Sequence, residues 1–384
     1  MRALPMLLSG IKVFRVPVQW SGLVCAALSS LPACGTTVDS LGHDLPADAG
    51  PDAESLRPLT GPGEYPNPLS DVLGLSDEEI AAKIAVVFEH LFYGDPATEA
   101  IYFPVGADQA FIRDILHDDI RTEGIGYGMI VAVELDKREE FDRLWTYARA
   151  ELEYTDGANQ GYFRSSCDTN DGATTLCVDP FGTEQFLTAL LFAHGRWESN
   201  GGIDYEADAL RLFHVLRDKE AQNGGVVDGV TNSFDGATQL PFDEPNTAAS
   251  EYTRPSVVMP AYYELWAQAT ADAFWSDAAE SGRVYWQAAA HPTTGLLPVR
   301  AYFDGTPVEA WSTFAPEAYR THLNMTLDRI WFDSDAWLVE AGDRLLEFFF
   351  AQGIDAYGKE YSLDGTVVDP SHDAALVAMN GVTA

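Results

Sequence analysis

From residue 76 to the C-terminus, apolar residues recur every three or four positions in one segment after another. This period limits what the chain can fold into more than any other feature. Ser76-Asp-Glu-Glu79 reads as a capping box, with a hydroxyl at the N-cap and a carboxylate three residues on. It opens a helix through Ile80, Ile84, Val87, Phe88 and Leu91, which Gly94-Asp-Pro96 ends. The same period predicts helices over 124–135, 137–153, 183–197, 205–218, 255–270, 275–290, 316–332, 335–352 and 371–380. In the second of these, Phe141, Leu144, Trp145 and Ala148 share one face, whereas 124–135 is apolar almost all round and must be buried. Alternating, strand-like patterns are few and short. The fold class is therefore all-α, with too many helices for one simple bundle. Antiparallel pairs closing into a ring would bury them all, and loops at one end of the ring would form a cleft. No linker-like composition interrupts 69–384, which reads as a single domain.

The N-terminal part has another character. Arg2, Lys12 and Arg15 are the only charges before Cys34. The short apolar run Trp20-Ser-Gly-Leu-Val-Cys-Ala-Ala-Leu28 follows, then small residues, and this describes an export signal over 1–33. The run falls short of the ~20 apolar residues that a membrane-spanning helix needs. Leu31-Pro-Ala-Cys34 resembles a bacterial lipobox, which would make Cys34 the lipidated N-terminus; ordinary secretion is the alternative, because Pro32 is an unusual occupant. Residues 34–68, rich in Gly, Pro, Asp, Ser and Thr, read as a flexible tether. The expected location is the periplasm, the outer membrane or the medium. Cys167 and Cys177 lie in a polar loop and are candidates for a disulfide in an oxidising compartment.

Charge and motif content exclude several functions. The chain holds 23 Lys+Arg against 59 Asp+Glu, a formal net charge of −36. Nucleic acid is not an expected partner, since binding it needs clustered cations. Contact with an anionic membrane is expected only through a lipid anchor. Such acidity suits a solvated surface in salty surroundings. The eight histidines are scattered and no His-Glu-x-x-His occurs, so no metal or other cofactor is expected. There is no Walker A motif and no Gly-x-Ser-x-Gly elbow. Asp168-Thr-Asn-Asp-Gly172 hints at a calcium loop but spaces its ligands wrongly for an EF-hand.

Carboxylates with aromatics remain. Glu123 is the most unusual acid, at the mouth of an otherwise apolar helix. Apolar surroundings would favour its protonated form and suit a general acid. The alternative is a helix-N-terminal Glu held by the macrodipole and paired with Arg121.

Three stretches, Tyr102-Phe-Pro-Val-Gly106, Arg121-Thr-Glu-Gly-Ile-Gly-Tyr-Gly-Met129 and Phe141-Asp-Arg-Leu-Trp145, resemble glycoside hydrolase family 8, with its reducing-end xylose-releasing exo-oligoxylanases as the nearest branch. Later pieces fit in the same order: Ala193-His-Gly-Arg-Trp197, Tyr262-Tyr-Glu-Leu-Trp266, Asp304-Gly-Thr-Pro307, and Glu317-Ala-Tyr-Arg320 with Asn324 and Leu327-Asp328. The resemblance covers roughly 69–384 and implies an (α/α)6 barrel that cleaves β-1,4-linked xylan-type oligosaccharides with inversion. The partner it implies is an oligosaccharide, and the protein is expected to act as a monomer.

Carried over residue by residue, Glu123 is the general acid and Glu317 the general base. The family commonly has Asp in the base's Asp-Ala-x-Arg pattern, and the extra methylene of Glu moves the carboxylate by about an ångström. A third Asp of many members falls on Phe181, with Asp179 two residues away. Arg254, Val257 and Val258 stand where xylanase-like relatives carry an acid, a Tyr and a His; Arg254 suits either a uronate or a structural ion pair. His372 occupies the place of a His that blocks one end of the cleft in exo-acting relatives. Arg320 and Asn324 are expected to position the base region. Arg121 is a further candidate for substrate contact, as are the aromatics Tyr127, Trp311, Phe314 and Tyr319, of which about two should touch sugar rather than pack in the core. Alternatives are a carbohydrate-binding lipoprotein with a degenerate site, or a substrate shifted to chitosan, β-glucan or substituted xylan.

Overall fold

The Ser76 capping box forms with both of its bonds. Ser76 Oγ accepts from the Glu79 backbone N–H at 3.3 Å, and the Glu79 carboxylate accepts from the Ser76 N–H at 2.9 Å. They start α1 (Asp77–Tyr93). The structure is a computed structural model and describes residues 55–59, 67–115, 117–164, 178, 180–199, 201–249, 251–332 and 335–384. The export signal, Cys34, the Cys167–Cys177 pair, Asp179 and the 168–172 loop lie outside the described residues. Residues 55–59 correct the tether reading for their part of 34–68. The Leu56 N–H bonds Glu206 at 2.8 Å, the Arg57 N–H bonds the Ala269 carbonyl at 2.8 Å, and Leu56 and Leu59 pack against the core. Two leucines among polar neighbours supply enough apolar surface to anchor this stretch.

The helices then alternate between an inner and an outer layer. The inner ones are α2 (Thr122–Glu134), α4 (Pro180–Trp197), α6 (Pro260–Thr270), α8 (Arg320–Phe332) and α10 (Ala374–Thr383); the outer ones are α3 (Arg138–Tyr147), α5 (Tyr205–Arg217), α7 (Ala273–Ala289) and α9 (Ala336–Gln352). Each outer helix packs on the inner helix before it, and each inner helix packs on the next inner one. Among the described residues these five inner and four outer helices, with α1 before them, are arranged as in an (α/α)6 barrel. The innermost positions show why the sequence lacks a polar stripe there: in α4 every residue from Pro180 to Ala193 is buried.

Glycines set the spacing between α2 and α4. A Cβ on Gly126 would lie 2.4 Å from the Gln185 side chain, and one on Gly182 would lie 2.3 Å from Thr122. Gly126 therefore serves close helix packing, while Gly128 makes room for Ile112, which a Cβ there would approach to 2.7 Å. Buried polar bonds tie the next neighbours. Tyr262 Oη donates to Gln185 at 2.9 Å, Tyr263 Oη to Glu184 at 3.1 Å, and Trp266 Nε1 to Thr188 at 3.0 Å. Arg283 of α7 forks onto the fully buried Asp328 of α8 at 2.8 and 2.7 Å and reaches Glu264 of α6 at 2.8 Å.

Two expected helices are interrupted at their starts. The 255–270 segment begins as a 3-10 turn, Pro255–Val257, and α6 starts only at Pro260, whose ring cannot continue an earlier helix. The 316–332 segment opens as the 3-10 turn Pro316–Tyr319 before α8. A π-helical turn, Ala148–Leu152, follows α3 within the expected 137–153 segment. Three small antiparallel sheets decorate the barrel: β1–β2–β3 (Tyr102–Val105, Gln109–Asp114, Asp119–Ile120), β4–β5 (Tyr252–Thr253, Ala301–Tyr302) and β6–β7–β8 (Thr313–Phe314, Glu360–Ser362, Val367–Asp369).

Candidate active site

Because each inner helix is followed by an outer helix running back, α2, α4, α6 and α8 point the same way and their N-termini gather at one end. The positive ends of several macrodipoles meet there, which favours carboxylates. Glu123 lies in the first turn of α2, Phe181 in the first turn of α4, and Arg320 opens α8. These three meet. Arg320 Nη1 stands 3.9 Å from Glu123 Oε1, and the Arg320 guanidinium carbon lies 4.6 Å from the centroid of the Phe181 ring. The Arg320 charge also acts on the Tyr127 hydroxyl, while the Tyr127 ring packs edge-on against Phe181 at 6.2 Å. Burial pushes the Tyr127 phenol up, and the Arg320 charge opposes that shift. Thr122 Oγ1 donates to Glu123 Oε2 at 3.3 Å.

Glu123 is thus mostly buried, with its side chain 14% exposed, but its surroundings are not purely apolar as expected, since a cation stands beside it. The Arg121 charge is felt by Glu123, but the guanidinium is held mainly by two other acids. Arg121, at the N-cap of α2, forks onto Asp119 at 3.0 and 3.1 Å and lies 3.4 Å from Asp114. Those two acids sit in the hairpin that precedes α2, so the strand pairing itself decides where Arg121 points.

Glu317 is exposed on the 3-10 turn Pro316–Tyr319, three residues ahead of Arg320. The turn that carries it and the helix end that carries Glu123 therefore open on the same mouth. α10 packs against this turn. His372, just before α10, is exposed, with Nδ1 donating to the Tyr357 carbonyl at 2.8 Å and its ring 4.9 Å from that of Tyr357. A carbonyl can only accept, so Nδ1 carries a proton.

Several expected contacts are corrected. Tyr319 is buried, its hydroxyl donates to the Lys359 carbonyl, and its ring packs on the fully buried Phe314 at 5.2 Å. Both belong to the core. Asn324 is also buried, and its amide donates to the carbonyls of Ser256 at 3.0 Å and Val258 at 3.3 Å. It clamps α8 to the turn before α6 instead of positioning the base. Arg254 pairs with Asp243 at 2.7 Å, and Asp243 accepts from Arg300 at 3.0 Å on its other oxygen. Of the two readings for Arg254, the structural ion pair is present. Val257 and Val258 are fully buried.

Tyr127 is partly exposed and Trp311 is 40% exposed, so these two of the four aromatics keep open ring surface. Trp311 carries the Arg300 guanidinium on its ring at 4.3 Å, with Tyr252 at 6.0 Å. The stack of Arg320 on Phe181 was not expected. The signal was present, in that an aromatic at the start of one buried helix faces an Arg at the start of another, but only the fold puts the two starts together.

Residues 110–384 match the family model described as Glycosyl hydrolases family 8. The chain is 35% identical to the reducing-end xylose-releasing exo-oligoxylanase Rex8A of Paenibacillus barcinonensis, over 83% of this chain and 84% of that protein. It is 32% identical to the reducing end xylose-releasing exo-oligoxylanase of Halalkalibacterium halodurans, over 83% of this chain and 82% of the relative. Among solved structures, Rex8A of P. barcinonensis complexed with xylose superposes with a TM-score of 0.75 at 34% identity, covering 84% of this chain and 86% of the other.

Proposed function

The chain belongs to glycoside hydrolase family 8, and on that premise we propose that it hydrolyses β-1,4-linked xylo-oligosaccharides with inversion, trimming xylose from chain ends. Glu123 is the general acid and Glu317 the general base. Glu317 takes a proton from a water that attacks the anomeric carbon on the face opposite the leaving group. Glu123 gives its proton to the glycosidic oxygen as the bond to that carbon breaks. The two carboxyls exchange protonation states in one turnover, and solvent restores them. The observation that carries this reading is the placement of Glu123, mostly buried at the shared mouth of the inner helices and beside Arg320 of the segment that bears Glu317.

Tyr127 and Trp311 offer ring surface for sugar faces. His372, on the segment beside the Glu317 turn, supports end-trimming because it can occupy one end of the cleft. The protein is proposed to work as a monomer outside the cytoplasm, with 1–33 as its export signal and Cys34 as its lipid anchor. Fatty-acid labelling that is lost in Cys34→Ser would support the anchor, and equal labelling of both forms would refute it.

The test of function is a product profile. Purified protein incubated with xylo-, cello- and chito-oligosaccharides is expected to release single xylose units from xylotriose and longer chains. Preferential cleavage of cello- or chito-oligosaccharides would overturn the substrate. Mid-chain products alone would overturn the end-trimming.

A further inference from the structure

We infer that Arg320 is a positioning residue for Glu123, held in place by the Phe181 ring, and that this arrangement sets the pH at which the site loses its acid. The inference rests on Glu123 being the acid. Two contacts place the guanidinium, 4.6 Å from the Phe181 ring centroid and 3.9 Å from Glu123 Oε1, and its charge acts on the Tyr127 hydroxyl beside them. Phe181 is fully buried and the Arg320 side chain is 19% exposed, so ring and cation meet largely away from solvent. A planar cation over an aromatic face is attracted by the ring quadrupole, more so when desolvated.

The identity of residue 181 decides what Arg320 does. A carboxylate at that position would compete for the guanidinium. An aromatic ring holds it by its face and leaves its edge for the phenol of Tyr127 and the carboxyl of Glu123. Arginine suits this better than lysine, because its flat fork can stack and donate at once.

Among the described residues, charged and titratable groups approach Glu123 from several elements. From α2 and its cap come Tyr127 and Arg121, the latter already forked onto Asp119 and beside Asp114 of the hairpin. From α8 comes Arg320, and Glu317 sits on the turn just before it. From α4 the facing residue is Phe181, and Glu184, further along the same helix, is engaged by Tyr263 of α6. Tyr262 of α6 lies beyond Tyr127 and bonds Gln185. Arg320 is thus a cation that contacts the acid from a different helix, and its charge favours the ionised carboxylate. A general acid works only while protonated, so the basic limb of the pH profile is where Arg320 must show.

The test is the pH dependence of kcat/KM on xylotriose for the wild type, Arg320→Gln, Arg320→Lys and Phe181→Leu. Arg320→Gln is expected to move the basic limb up by about one pH unit, the low end of the effect of a charge at this distance. Arg320→Lys keeps the charge and is expected to hold the limb near its wild-type position with a lower kcat. Phe181→Leu keeps apolar bulk, loses the ring, and is expected to shift the limb upward by less. A fall in activity at every pH with an unmoved limb in both Arg320→Gln and Phe181→Leu would reduce the cluster to packing and overturn the inference. Retention of activity in Glu123→Gln would instead overturn the assignment of the acid, so the two failures are distinguishable.

Discussion

Glu123→Gln is expected to lower kcat on xylotriose by about 10³-fold, within the range that a general acid contributes, while KM stays within a few-fold. The amide matches the carboxyl in size, so the contacts with Thr122 and Arg320 keep their partners. What disappears is the proton for the leaving oxygen. A leaving sugar hydroxyl is a poor leaving group as an alkoxide, so the loss falls on the chemical step rather than on binding. Initial rates, combined with calorimetric titration of the variant with xylobiose, separate the two. A drop confined to KM would make Glu123 a sugar-binding residue.

Glu317→Gln carries the second large effect, also about 10³-fold in kcat, with binding preserved. Glu317→Asp makes the argument graded. The shorter side chain draws the carboxylate back by about an ångström, a displacement that can cost ~100-fold. The aspartate form is therefore expected between the wild type and the amide. The exposed setting of Glu317 in the turn before α8 suits a base that must meet water. Wild-type rates in both variants would remove Glu317 from the mechanism and direct attention to another acid at the same mouth.

Much of this was legible from residues alone, and the reasons differ by region. The helices announced themselves because a buried ring needs apolar residues on three or four positions per two turns, and the Ser76 box marked its start without tertiary help. Glu123 stands out as an acid at the mouth of an otherwise apolar helix, though a helix N-terminus alone also favours one. Other features depend on partners distant in sequence. Arg254 suits either a uronate or an ion pair by sequence, and its partner Asp243 comes from a separate loop; Arg121 turns to Asp119 because β2 and β3 pair. Asn324 and Tyr319 lie in the Glu317-Ala-Tyr-Arg320 region, where spacing predicts helix but not which face meets the mouth; both turn into the core. The strands escaped notice because the shortest are two residues long, too few to show alternation.

The paired-carboxylate account is tested most directly by the stereochemistry of the first product. Wild-type protein is mixed with a xylo-oligosaccharide, and the anomeric protons are followed by NMR from the earliest turnovers, before mutarotation. The α-anomer is expected to accumulate first at the newly formed reducing end, with the β-anomer growing in later at the uncatalysed rate. The β-anomer appearing first would mean a covalent intermediate and a retaining mechanism, and would contradict the roles given to Glu123 and Glu317.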